Sequence, residues 1–279
     1  MISVVVPAHN EEALIGRTLS QWVAAATARE IDVVVVCNGC TDDTARIARS
    51  FGPAVKVVET DVASKTNALN LGDRASVGFP RIYIDADITI SVDAIRALAD
   101  RLARRDVLAV APTPEIDLTG CSWLVRKYYD IRSRLPSAHE GIGGSGVYAL
   151  SEAGRGRFQQ FPSITADDTY VRLQFRPEER ETLRYTKSKI FPPRTLAQLI
   201  RVRTRIHRGT FELARLFPEL SVNKGETNDR TLLALFRDPR LWSGLFVYCW
   251  VNMVARRKAI GDARCPSHPW QRDETSRAA

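Results

Sequence analysis

From Ile2 to Ala111 the chain alternates short β-branched apolar runs with stretches of helical periodicity, and this alternation admits only a small set of folds. Strand-like runs at Ile2–Val6, Ile31–Val36, Val55–Val58, Arg81–Ile84 and Val107–Ala111 are separated by helical patterns. The helical patterns fall at Glu11–Ala28, around Ala45, Ile47 and Ala48, at Lys65–Arg74 and at Val92–Arg104. Strands joined by crossover helices run parallel and have both faces covered. Ile31–Val36 agrees, being apolar at every position except Asp32. The fold class predicted is therefore α/β, with helices on both faces of a mostly parallel central sheet. Further on, Trp123–Leu135, Asp168–Phe175 and Leu196–Phe217 read as helices and Val147–Leu150 as a strand. The Leu196–Phe217 helix is expected to break at Gly209 and to end at Pro218.

Open α/β sheets bind ligands at the carboxyl ends of their strands, and here four successive loops at that edge are polar. The first is Pro7-Ala8-His9-Asn10-Glu11-Glu12, where Pro7 ends the ladder and Asn10 can cap a helix opened by the two glutamates. The second is Cys37-Asn38-Gly39-Cys40-Thr41-Asp42-Asp43-Thr44, with Thr41 placed as a cap. The third helix opens with Ser64-Lys65-Thr66-Asn67, and a lysine at a helix N-terminus suits a phosphate. The fourth strand ends in Asp85-Ala86-Asp87. On an extended strand that spacing aims both carboxylates at one face. Two such charges about 4 Å apart repel by roughly 4 kcal/mol at an effective dielectric of about 20. A divalent cation removes the repulsion; hard oxygen ligands suit Mn²⁺ or Mg²⁺, which can also hold a diphosphate. A surface turn in which Asp85 caps a helix accounts for the same residues without a metal.

The net charge of +8 and pI near 9.5 suit phosphate-bearing ligands, nucleic acid or an anionic membrane face. A nucleic-acid module interleaves aromatics with its bases, whereas Arg194–Arg208 has five arginines and no aromatic, so no nucleic-acid partner is expected. Five cysteines, an odd count, argue against a disulfide framework and for a cytoplasmic setting, and the lone Cys37/Cys40 pair lacks a second pair for zinc. Met1 leads directly into the first strand-like run, so no signal peptide is expected. The uncharged run Leu241–Ala255, followed by Arg256-Arg257-Lys258, is shorter than the ~20 residues of a spanning helix. A packed helix fits it, and so does a peripheral contact of 241–258 with the inner face of the membrane. Gly141-Ile142-Gly143-Gly144-Ser145-Gly146 matches a dinucleotide fingerprint letter for letter, but it leads into a strand rather than a helix, so that reading fails.

Taken in order, PAHNEE, NGCTDDT, SKTNALN and DAD resemble the nucleotide-binding half of the family 2 glycosyltransferases, which have the GT-A fold. The similarity runs from Ile2 to Val110 and continues more weakly to Gly209. It implies a GT-A type three-layer α/β/α sandwich with a helical C-terminal extension. Residues 1–110 would form the nucleotide-sugar-binding half and 111–228 the acceptor and catalytic half of the same domain. Residues 229–262 would be the helical segment, and 263–279 read as a disordered tail. By resemblance Pro7, His9, Glu11 and Asn38 flank the base and ribose, Lys65 lies near the diphosphate, and Asp85 and Asp87 hold the metal. Many members have two acids where this chain has Cys37 and Asn38, so a UDP- and a GDP-linked donor both remain open.

Ile164-Thr165-Ala166-Asp167-Asp168-Thr169 resembles the family's Thr-Glu-Asp loop, which makes Asp168 the catalytic base and Asp167 its neighbour. A carboxylate near a like charge and partly desolvated has its pKa raised, which suits a base. Plain N-capping of the next helix is the competing account. Of the Gln-x-x-Arg-Trp pattern of processive synthases only Arg205 matches; Arg205 or Arg203 can reach the diphosphate. One sugar per encounter is therefore expected. The resemblance implies inverting transfer to a hydroxyl of a carbohydrate or lipid-linked acceptor, in polysaccharide or glycoconjugate biosynthesis. The alternatives are a retaining GT-A transferase and a non-catalytic nucleotide-sugar or membrane-surface binding protein.

Overall fold

The structure, a computed structural model, describes residues 1–225 and 227–262, so the tail expected at 263–279 lies outside the described residues. The β-branched runs form β1 (Ile2–Ala8), β2 (Ile31–Asn38), β3 (Val55–Thr60) and β4 (Arg81–Ile84). They are followed by β5 (Ala109–Ile116), β6 (Val147–Leu150) and β7 (Arg180–Ile190). All seven join one sheet in the order β3-β2-β1-β4-β6-β5-β7. β6 runs antiparallel to both β4 and β5, while the other pairings are parallel. The chain proceeds from β1 outward to β2 and β3, then returns to place β4 on the opposite side of β1. That reversal opens a crevice at the carboxyl ends of β1, β2 and β4.

The helices, in chain order, are α1 (Glu12–Ser20), α2 (Val23–Thr27), α3 (Thr44–Arg49), α4 (Lys65–Ala75), α5 (Val92–Ala103) and α6 (Trp123–Arg132). Then come α7 (Glu152–Arg155), α8 (Asp167–Leu173), α9 (Leu196–Leu216), α10 (Asp229–Leu235) and α11 (Trp242–Asp262). Alternate strand residues serve opposite faces. Val4, Val6, Val33, Val35, Ile82 and Ile84 pack with Ile15, Leu19, Trp22, Ile95 and Leu98 on one side. Val5, Tyr83 and Tyr148 pack with Leu69, Val171 and Leu213 on the other. The result is a three-layer α/β/α sandwich. A satellite cluster of Val125, Tyr128, Leu199 and Val251 packs α11, in the helical C-terminal segment, against α6 and α9.

Several expectations about the elements need correction. Pro7 does not end the ladder, since β1 pairs with β2 through Ala8, and Glu11 rather than Asn10 stands at the cap position of α1. The helix expected over Glu11–Ala28 is two helices, because Trp22 at the break is 1% exposed and donates its indole N–H to Ile90 O (3.0 Å). Burying that ring against the β4–α5 loop takes precedence over continuing the helix. Thr41 is not the cap of α3; Asp42 Oδ1 accepts from Thr44 N (3.1 Å) instead. α9 runs unbroken through Gly209, where the missing side chain lets another segment approach. The edge strand β7 went unread because RETLRYTKSKI shows no apolar alternation: only Leu183, Thr186 and Ser188 are buried along it. Charged edge strands of this kind resist pairing with other chains. No described helix is long and apolar enough to cross a membrane.

Trp22 supplies a stability prediction. Trp22→Ala leaves a cavity between α2 and the β4–α5 loop and strands the Ile90 carbonyl, so unfolding free energy should fall by about 3–5 kcal/mol. Urea denaturation followed by far-UV circular dichroism measures it.

Candidate active site

The first two loops are laced together across the crevice. His9 Nδ1 donates to Asn38 O (2.6 Å), and Asn38 Nδ2 donates to Ala8 O (2.8 Å). Asn10, held at φ 53, accepts from Thr41 N (2.7 Å), and Glu11 N donates to Thr44 Oγ1 (2.7 Å). Asparagine tolerates that left-handed conformation better than most residues. Because its Nδ2 is committed to β1, Asn38 keeps its Oδ1 as a buried acceptor with no partner among the described residues. Cys37 and Cys40, a buried strand residue and a turn residue, are free thiols, as are Cys121 and Cys249.

β4 stops at Ile84, so Asp85 and Asp87 do not share a strand face as their spacing suggested. They sit in a turn closed by Ile88 N donating to Asp85 O (3.0 Å). Asp85 N donates to Gly146 O (2.9 Å), and Thr18 Oγ1 of α1 donates to Ala86 O (3.2 Å). Gly146 lies at φ 65, and a Cβ there would come within 2.6 Å of Ile88 Cγ1. The glycine-rich stretch thus acts as a clamp on the aspartate turn, a role its dinucleotide-like spelling does not indicate.

The opposite wall comes from α8 and α9. A Cβ at Gly209 would fall 2.9 Å from Ala166 Cβ, so α9 lies directly on the loop that opens α8. Glu212 Oε2 accepts from Thr165 N (2.9 Å) and fixes the same loop one turn further along α9. Pro7, His9, Glu11, Asn38, Lys65, Asp85, Asp87, Asp167, Asp168 and Arg205 all line one cavity of about 590 Å³, together with Arg203 and Arg172. A volume of that order accommodates a ligand of nucleotide-sugar size. Arg172 pairs with Glu140 at its rim. Glu212, Arg172 and the Gly209 contact escaped sequence reading because each acts through a tertiary partner more than thirty residues away.

Lys65, which follows the Ser64 cap, is the electrostatic centre. Its Nζ stands 2.8 Å from Asp85 Oδ1 and 3.1 Å from Asp167 Oδ2. Burial disfavours the ammonium, but Asp167, Asp85 and Asp168 outweigh it and hold the pKa above the ordinary lysine value. The desolvation expected for Asp168 falls on Asp167, whose side chain is only 6% exposed. Burial raises the Asp167 carboxyl, Lys65 lowers it, and Asp168 and Asp85 raise it again, leaving it pushed up to about 6. Asp168 is half-buried, and its Oδ1 accepts from Thr169 N (2.6 Å). Behind the carboxylates the buried Tyr148 hydroxyl has no hydrogen-bond partner among the described residues. Burial, then Asp167, push its pKa well up.

Among the described residues no group of three or more His, Cys, Asp or Glu could hold a metal. Two carboxylates lining a cavity of nucleotide-sugar size still fit Mg²⁺ or Mn²⁺. Mg²⁺ is commonly held by one or two carboxylates with substrate phosphates and water completing its shell. Asp85 and Asp87 would be the protein ligands.

Comparisons with known proteins bear on the family and the fold. The Glycosyl transferase family 2 model matches residues 3–145, just over half of the 279-residue chain. A 4,4'-diaponeurosporenoate glycosyltransferase of Staphylococcus aureus is 31% identical over 119 residues, which span 40% of this chain and 31% of that relative. The match thus covers less than a third of the relative's length. A mannosyltransferase from Pyrobaculum calidifontis, solved with GDP-Man and Mn²⁺, superposes with TM-score 0.60 at 21% identity, over 96% of this chain and 76% of its own. Glucosyl-3-phosphoglycerate synthase from Mycobacterium tuberculosis, solved with Mn²⁺, UDP and phosphoglyceric acid, gives TM-score 0.54 at 22% identity, over 74% of this chain and 76% of its own. At such identities the likeness concerns the fold, which is of the GT-A type.

Proposed function

Because this chain belongs to glycosyl transferase family 2, we propose that it transfers a sugar, with inversion, from a nucleoside-diphosphate sugar to an acceptor hydroxyl. One observation carries the proposal: the ends of β1, β2 and β4, the starts of α4 and α8 and the middle of α9 bring every candidate residue to a single cavity. The donor's base lies in the crevice between Pro7, His9, Glu11 and Asn38. The Asn38 Oδ1 accepts an N–H from the base edge; uracil and guanine both present one, so UDP- and GDP-linked donors fit alike.

Single displacement needs a base on one side of the anomeric carbon and charge stabilisation on the other. Asp168 is the base: both aspartates line the cavity, but Asp167 is buried and engaged by Lys65, whereas Asp168 is half-buried. Asp168 takes the proton of the acceptor hydroxyl as its oxygen bonds to the anomeric carbon and the bond to the diphosphate breaks. Asp85 and Asp87 would hold a divalent cation, which would supply Lewis-acid stabilisation of the departing diphosphate. Lys65 and Arg205 add positive charge beside it, and Asp167 holds Lys65 in place. The acceptor is a carbohydrate or lipid-linked hydroxyl compound.

The test is to incubate the chain with Mn²⁺ and a panel of UDP- and GDP-linked sugars and to follow nucleoside diphosphate release. Release from at least one donor, abolished by chelation, is expected. If no donor is turned over and none binds, the non-catalytic reading replaces this one.

A further inference from the structure

Over Trp242–Ala255 α11 carries no charge, yet it is only half covered. Leu245, Val247, Val251, Ala255 and Ala259 are buried on its inner face. The outer face carries Trp242 (58% exposed), Phe246 (72%), Trp250 (38%) and Met253 (45%). Their spacing of four, four and three keeps them on one side of the helix, in a stripe about 17 Å long at the helical rise. Leu233 of α10 and Phe236 just after it are exposed as well, and Trp242 Nε1 donates to Phe236 O (3.0 Å), which ties the end of α10 to α11.

The stripe is basic at both ends. Arg237 and Arg240 stand exposed before it, and Arg256, Arg257 and Lys258 after it. The acid between the first two, Asp238, turns its carboxylate back to Arg240 N (3.0 Å). A second copy of the chain paired on this face would set basic clusters opposite one another in either two-fold orientation. A surface of phosphate headgroups meets both clusters at once, and tryptophan favours the water–hydrocarbon boundary. Since no described helix can cross a bilayer, the geometry points to α11 lying in the interface plane.

We infer that this outer face of α10 and α11 docks the protein on an anionic lipid bilayer. The apolar stripe enters the headgroup boundary, and the flanking arginines and lysine meet the lipid phosphates. α11 is joined to the cavity wall, since Arg203 Nε of α9 donates to Asn252 Oδ1 (3.2 Å). Docking therefore places that wall beside the membrane. This last consequence, access for an acceptor with a lipid tail, rests on the transferase reading; docking does not.

Co-sedimentation of the full chain with phosphatidylglycerol-containing and pure phosphatidylcholine vesicles tests the inference. Binding to the anionic vesicles is expected, about tenfold weaker to the neutral ones and weakened again by high salt. Phe246→Glu with Trp250→Glu should abolish binding, and the single Met253→Glu, a milder change, should reduce it. Replacing Arg256, Arg257 and Lys258 by Glu should remove the preference for anionic lipid. Thermal melts and nucleotide titrations of each variant report whether fold and cavity persist. Absence of vesicle binding by the wild type, or wild-type binding by folded Met253→Glu and Phe246→Glu/Trp250→Glu chains, overturns the inference. A dimer in sedimentation velocity that Phe246→Glu dissolves reassigns the face to a second copy. If the wild type binds vesicles but no nucleotide sugar, the transferase reading falls and docking stands.

Discussion

Asp168→Asn should lower the single-turnover rate of nucleoside diphosphate release by about 10²–10⁴-fold, the usual worth of a general base, and leave donor affinity unchanged. The reason is positional. Asp168 lines the cavity half-buried, whereas the ion pair of Lys65 with Asp85 and Asp167, proposed to organise the diphosphate end, is made without contact to it. Asparagine keeps the side-chain oxygen that accepts from Thr169 N, so the start of α8 stays in place. Loss of rate with constant donor affinity is the signature of a group that acts only in the transition state. A matching loss of donor affinity would instead make Asp168 part of the donor site and leave the base to be sought elsewhere.

Asp85→Ala should be comparably damaging by a different route. It removes one of two carboxylates proposed to hold the cation and also frees Lys65 from its 2.8 Å partner, leaving that ammonium to Asp167 alone. Turnover should fall by about 10²–10³-fold, since Lewis-acid stabilisation of a leaving group is worth several kcal/mol. Added Mn²⁺ should restore little of it, whereas wild type treated with chelator should recover fully on Mn²⁺ addition. Stability should change little, because the Asp85 side chain is 37% exposed and its turn is held by backbone hydrogen bonds to Gly146 and Ile88. Initial rates across a Mn²⁺ titration separate these cases.

Much of the fold could be read from sequence because its strands are buried on both faces. Val33 to Val36 admits no reading other than a covered strand, and helices of ordinary amphipathic period intervene. The candidate residues were legible for a related reason: strand ends are marked by abrupt changes from apolar to polar, as at Ala8-His9, Cys37-Asn38 and Ile84-Asp85. What stayed hidden depends on contacts between distant segments. The edge strand β7 has no apolar face to reveal it. Trp22 interrupts a helix for the sake of a partner sixty-eight residues away. Gly209 looks like a helix breaker and is a contact surface for Ala166. Tyr148 spells an ordinary core strand, although its hydroxyl lies unpartnered behind the acidic cluster. Nor does the pair Asp167-Asp168 say which carboxylate faces inward; that is set by the first turn of α8 and by Lys65 arriving from α4.

The central claim is that one cavity binds a nucleoside-diphosphate sugar through a cation on Asp85 and Asp87, with Lys65 beside them. Isothermal titration of UDP- and GDP-linked sugars into the full chain, with and without Mn²⁺, tests it most directly, because no acceptor is needed. The account predicts binding of at least one donor that requires Mn²⁺ and is lost in the Asp85→Ala, Asp87→Ala double variant while the variant's melting temperature is retained. Donor binding of equal strength without Mn²⁺, or in the folded double variant, would contradict it.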